Sequence, residues 1–127
     1  MSKIEMTSKT SHVPKNATVY LNVGGVFFAT RASTLKQRET FFSGLLHSQP
    51  NSTEFFVDRD PTYFRYILNW LRGCRVLPEE SNILDELAFE ADYFGLNDMH
   101  EAIINTKVRN SVPRTLATIA QRLHQRG

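Results

Sequence analysis

The stretch FFVDRDPTYFRYILNWLRG, Phe55 to Gly73, carries a strand, a corner and a helix in direct succession. Glu54 to Val57 is a short β-type run, and the adjacent Phe55 and Phe56 must point to opposite faces of a sheet because side chains alternate along a strand. One of these two aromatics therefore needs cover from another layer or from a neighbouring subunit. Asp60 before Pro61 has the form of a helix start. The carboxylate accepts the free N–H groups of a first turn, and proline fits the first helical position, where its missing N–H does no harm. From Pro61 to Arg72 the residues Phe64, Ile67, Leu68 and Leu71 recur at helical spacing as a core stripe, and Gly73 stands where a helix ends. Tyr63, Tyr66 and Trp70 lie off that stripe, as a second core face or as interface anchors. Asp58 and Asp60 also have the spacing of a metal or acid–base pair, but capping accounts for Asp60. It leaves Asp58 and Arg59 exposed at a strand-to-helix corner.

Towards the N-terminus, Thr18 to Val23 alternates apolar and polar residues, and a second strand follows from Val26 to Thr30. Gly24-Gly25 between them supplies the positive φ angles of a tight hairpin. A phosphate-binding loop is the other use of a glycine pair, but no Lys-Ser/Thr follows and the pair opens a strand instead of a helix. Ser33 and Thr34 are placed to cap a short helical turn between Arg31 and Arg38. Thr40 is placed as the N-cap of a helix carrying Phe41, Phe42, Leu45 and Leu46. His47 to Ser52 reads as a loop. Residues 1–16 are polar, without apolar period, and are expected to be disordered.

Beyond Gly73, Pro78-Glu79-Glu80 opens an acidic helix whose first-turn acids complement the helix dipole, with Ile83, Leu84, Leu87, Ala91 and Phe94 facing inward. Gly95 stops it, Asn97 is placed to cap the next helix, and Met99, Ala102, Ile103 and Thr106 turn that helix inward. A basic tail, 106–127, follows. In it Pro113 is fit to start a helix with Leu116, Ile119, Ala120 and Leu123 on one stripe. A hairpin, a third strand and then a run of helices make the fold α+β, a mixed α/β arrangement of a three-stranded sheet with about five helices.

Charge is zoned along the chain. Residues 1–75 hold ten Lys/Arg and five Asp/Glu, 79–101 hold eight acids and no Lys or Arg, and 107–127 hold five basic residues and no acid. Zones of opposite sign suit solvated helix faces or contacts that steer association. The single cysteine, Cys74, gives neither a disulfide framework nor a thiolate zinc cage. No run approaches the ~18 apolar residues of a membrane helix and no apolar leader follows the first charges, so a soluble chain is expected. His12, His47, His100 and His124 are scattered, and Ser43 lacks the frame of a nucleophile elbow, so no motif points to catalysis. The tail's arginines lack the interleaved aromatics of a nucleic-acid surface.

VYLNVGG (Val19 to Gly25) with Phe27, Thr30 and Thr34-Leu35, then Phe55 to Gly73, then ELAFEADYFGL (Glu86 to Leu96), resemble in that order the BTB/POZ tetramerisation domain of potassium channels and its soluble relatives. The resemblance implies a BTB/POZ domain over 17–105 that forms a homo-tetramer or homo-pentamer through largely polar sides. By position it implies subunit contacts at Asn22, Thr30, Arg31, Asp58, Arg59, Asp60 and Arg65, so that Arg59→Glu or Arg65→Glu is expected to break the assembly and spare the fold. It also implies a role as a cytoplasmic or nuclear substrate adaptor for a cullin-type ubiquitin ligase, with the cullin surface around Phe41, His47, Gln49 and Tyr63. The alternative it leaves open is a channel-type assembly domain that recruits no ligase. Intersubunit zinc is not expected, since His100 has no late cysteine beside it, and no other cofactor is implied.

Overall fold

β1 (Thr18–Val23) runs down the middle of a three-stranded sheet, antiparallel to β2 (Val26–Arg31) and parallel to β3 (Glu54–Val57). The computed structural model describes residues 13–112 together with 122 and 123. Two helices, α1 (Ala32–Lys36) and α2 (Phe41–Ser48), make the crossover that a parallel pairing requires. α3 (Phe64–Leu71), α4 (Ser81–Tyr93) and α5 (Asn97–Asn110) follow the sheet. The α+β class and, among the described residues, the three strands and five helices are those expected from the sequence.

The inner face of the sheet buries Val19, Leu21 and Val23 from β1 and Phe55 and Val57 from β3. Against it pack Phe64, Ile67, Leu68 and Leu71 of α3 and Leu84, Leu87 and Ala91 of α4, the stripes read from the sequence. An aromatic cluster joins the layers. Phe42 of α2 stacks on Phe94 at 4.8 Å, Phe64 meets Phe28 of β2 at 4.9 Å, and Phe41 lies 5.4 Å from both Tyr93 and Phe94. Such offset and edge contacts add to area burial.

The hairpin turn has Gly24 at φ 56° and Gly25 at φ 102°, backbone that other residues rarely adopt. Gly24 is required for a second reason. A Cβ there would lie 2.5 Å from the Arg59 carbonyl oxygen and 3.2 Å from Pro61 Cδ, so the hairpin tip packs directly on the 58–61 corner. Val57 O accepts from both Gly24 N–H and Arg59 N–H, at 2.9 Å each.

Thr40 caps α2 as expected, its hydroxyl accepting from Phe42 N–H while Ser43 Oγ accepts from Thr40 N–H. Other end signals are used differently. α1 has no side-chain cap from Ser33 or Thr34, because Ala32 N–H and Ser33 N–H donate to the carbonyls of Ala17 and Lys15, both at 2.9 Å. Lys15 lies in the segment expected to be disordered. Residues 13–16 are joined to the domain by these bonds and by Val13 N–H on Pro50 O. Pro61 to Tyr63 form a turn that precedes α3, so Asp60 caps the turn through Thr62 N–H (2.9 Å) and not the helix itself. α4 begins at Ser81 with Glu80 extended before it, so Glu79 and Glu80 precede the first turn. Leu96, drawn into the core, takes the cap position expected of Asn97. His47 and Ser48 close α2 rather than opening a loop, and α5 runs past residue 105 to Asn110. Residues 1–12 and nearly all of the 113–127 stripe lie outside the described residues.

Candidate functional site

The outer face of the sheet is where the side chains left over from core formation collect. Register places Asn22 between Phe27 on one neighbouring strand and Phe56 on the other. Phe27 is 55% exposed and Phe56 62%, and Tyr20 is exposed beside them. Three aromatics on a polar face exceed the scattered apolar exposure of an ordinary surface. Phe56 is thus the aromatic of its pair that lacks cover among the described residues. The pair Phe27-Phe28 follows the same alternation, with Phe28 inward, and offered the same signal in the sequence.

Asn22 also shapes the turn, its Oδ1 accepting from Gly25 N–H at 2.8 Å. Arg31 sits exposed at the far end of β2, with its Nη1 3.4 Å from Asn16 O. Thr30, by contrast, is turned to the inner face and is buried. The structure therefore brings Asn22 and Arg31 to one open face with the exposed aromatics and leaves Thr30 behind it.

At the corner, Asp58 is exposed and Asp60 is occupied by Thr62, whose hydroxyl and N–H hydrogen bonds hold its carboxyl below the usual range. Arg59 departs from the exposed position expected of it. Its Nε and Nη2 donate to the two carboxylate oxygens of Glu90 on α4, at 3.1 and 2.7 Å, and its guanidinium lies 4.1 Å from the Tyr93 ring centroid. Hydrogen bonding to Glu90 raises the Arg59 pKa, outweighing the opposing effect of burial. Forked Arg–carboxylate geometry is specific as well as strong. Arg59 is thus engaged within its own subunit, and Arg59→Glu would set two carboxylates together there, so its consequences begin with the fold. Glu90 and Tyr93 were not legible as partners, being some thirty residues away in the chain with no spacing rule to link them. Arg65 is exposed, its guanidinium 4.6 Å above the neighbouring Tyr66 ring.

The residues expected to meet a scaffold protein are split. His47 and Gln49 are exposed and line a cleft of roughly 620 Å³ with Lys36, Ser43 and Pro50. Phe41 and Tyr63 are half-buried against the core and do not line that cleft. Among the described residues no group of three or more His, Cys, Asp or Glu is placed to hold a metal ion. No described helix is long and apolar enough to cross a membrane.

The BTB/POZ domain family matches residues 19–103, from the second residue of β1 into α5. This chain belongs to the BTB/POZ domain family. It is similar to the human BTB/POZ domain-containing protein KCTD21, 34% identical over 115 residues, covering 85% of this chain and 44% of the human protein. The mouse KCTD21 gives the same figures. The FH protein interacting protein FIP2 of Arabidopsis thaliana is 38% identical over 98 residues, covering 70% of this chain and 33% of FIP2. The chain spans less than half the length of the curated relatives it matches. As a BTB/POZ domain of the potassium-channel tetramerisation type it is a protein-interaction and self-association module, from a family of interaction domains rather than enzymes.

Proposed function

We propose that this BTB/POZ domain assembles side to side into a homo-oligomeric ring of four or five subunits, and that the ring serves as a non-catalytic substrate adaptor for a cullin-type ubiquitin ligase in the cytoplasm or nucleus. The observation that carries the first half is the open row Phe27, Asn22 and Phe56 across the sheet, with Tyr20 beside it. Asn22, Arg31, Asp58, Asp60 and Arg65 stand at the subunit contact in this reading, while Arg59 and Thr30 support it from within. A head-to-tail contact between such sides closes into a ring where the rotation it imposes divides the circle. The second half is supported by the family membership and by His47 and Gln49 on an open cleft.

Light scattering of the pure protein, with and without a cullin N-terminal domain, tests both halves. The expected result is a tetramer or pentamer mass that rises when the cullin fragment is added. Phe56→Glu, which replaces a side chain that touches little within its own subunit, is expected to lower the mass to a monomer and leave the circular dichroism unchanged. A wild-type monomer at micromolar concentration overturns the ring. A ring indifferent to cullin overturns the adaptor and favours an assembly domain that recruits no ligase.

A further inference from the structure

α4 and α5 pack on each other and leave a second open surface on the side away from the sheet's inner face. A groove of roughly 590 Å³ runs along the pair, lined by Asp85, Ala88, Phe89 and Asp92 of α4 and by His100 and Lys107 of α5. These positions recur at three- and four-residue steps on α4, so they form one helix face. Phe89, in its middle, is 73% exposed, and Val108 of α5 is 60% exposed. α4 carries Asp85, Glu86, Glu90 and Asp92 and no Lys or Arg. Asp85 pairs with Lys107 and Glu90 with Arg59, but Glu86 and Asp92 have no ion pair among the described residues. The groove thus has an apolar middle, with Asp92 in its lining and Glu86 beside it on α4 as the acids left without an ion pair among the described residues.

The segment that follows α5 has the complementary character. Residues 113–127 carry Arg114, Arg122 and Arg126 and no acid, with Leu116, Ile119, Ala120 and Leu123 at helical spacing. Leu116 and Leu123 stand seven positions apart in the sequence, as do Asp85 and Asp92, so the helical spacing read from the tail matches the groove's length of about 10 Å. Leu123 is 62% exposed, uncovered by the other described residues.

The geometry points to this groove as the seat of the basic tail, residues 113–127, of a neighbouring copy of the chain. The apolar stripe lies over Phe89 and the arginines face Asp92 and Glu86. The contact is of the arm-in-groove, head-to-tail kind, and it rests on the self-association proposed above. It gives the oligomer a second interface, distant in character from the uncharged aromatic row on the sheet, and it makes that interface sensitive to salt.

The test uses the full chain with Cys74→Ser, Ala88→Cys and Ala120→Cys, which place one thiol at the centre of the groove and one at the centre of the stripe whichever way the tail runs. Mild oxidation followed by a non-reducing gel is expected to give a ladder of covalently linked subunits. Adding Phe89→Lys, at an exposed position, is expected to cut the ladder by about tenfold, as loss of a central anchor does. A cross-link confined to single chains overturns docking between copies. An intact oligomer mass with no cross-link, or a ladder unchanged by Phe89→Lys, overturns the groove as the seat while leaving the sheet interface standing. A monomer mass without oxidation overturns both.

Discussion

Replacing Arg59 with methionine keeps much of the side chain's length and removes its charge, its two hydrogen bonds to Glu90 and its stack on Tyr93. The pair is forked, at 3.1 and 2.7 Å, and its side chains are 28% and 18% exposed. That degree of burial takes it out of the class of surface ion pairs worth about 0–1 kcal/mol. Hydrogen bonds to charged groups contribute about 1.5–3 kcal/mol, and a partly desolvated cation–π contact adds about 0.5–1 kcal/mol. The variant also strands the Glu90 carboxylate in a mostly buried position. A net loss of about 2–3 kcal/mol follows, which for a domain of this size lowers Tm by about 10 °C. The measurement is thermal or urea unfolding at one fixed protein concentration, because an oligomer's Tm depends on concentration. A cycle with Glu90→Gln should give a coupling of about 1–2 kcal/mol. A Tm shift below about 2 °C, or a cycle that is additive, refutes the view of Arg59 as a clamp between the corner and α4. It would return Arg59 to the surface role that the sequence suggested.

Gly24→Ala should cost about 2 kcal/mol or more, since it combines a positive φ with a Cβ 2.5 Å from the Arg59 carbonyl oxygen; a urea midpoint within error of wild type would show that hairpin and corner are not in contact. Acid should weaken the fold through Asp98. Burial alone would push its carboxyl up, but hydrogen bonds from Arg38, Trp70 Nε1 and Arg75, together with the Arg38 charge, hold it well below the usual carboxylate range. A carboxylate with a lowered folded pKa stabilises above the ordinary aspartate range, and the contribution fades as pH falls below about 4. Asp98→Asn should therefore be less stable than wild type at pH 7, with the gap beginning to narrow as pH falls below about 4, compared by urea unfolding; a pH-independent difference would sink this account.

The elements themselves were legible because each is written in local chemistry. Period-two alternation, the glycine pair, the Thr40 cap and the stripes of Phe64 to Leu71 and Leu84 to Phe94 need only near neighbours in the chain. Helix starts at α1 and α5 were less legible, because what satisfied or displaced them came from outside the helix: the Lys15 and Ala17 carbonyls for Ser33 and Ala32, and burial of Leu96 for α5.

The sequence by itself determined that the chain has an α+β core, that Phe55 and Phe56 must part company across a sheet, and that the tail and α4 carry opposite charge, since these follow from spacing and composition. Only the tertiary structure decided which phenylalanine stays uncovered, because that depends on which face the helices take. It alone joined Arg59 to Glu90 and Tyr93, and it alone turned Thr30 inward. Pairings across some thirty residues are set by how the α4 helix packs on the corner, and no local preference encodes that distance.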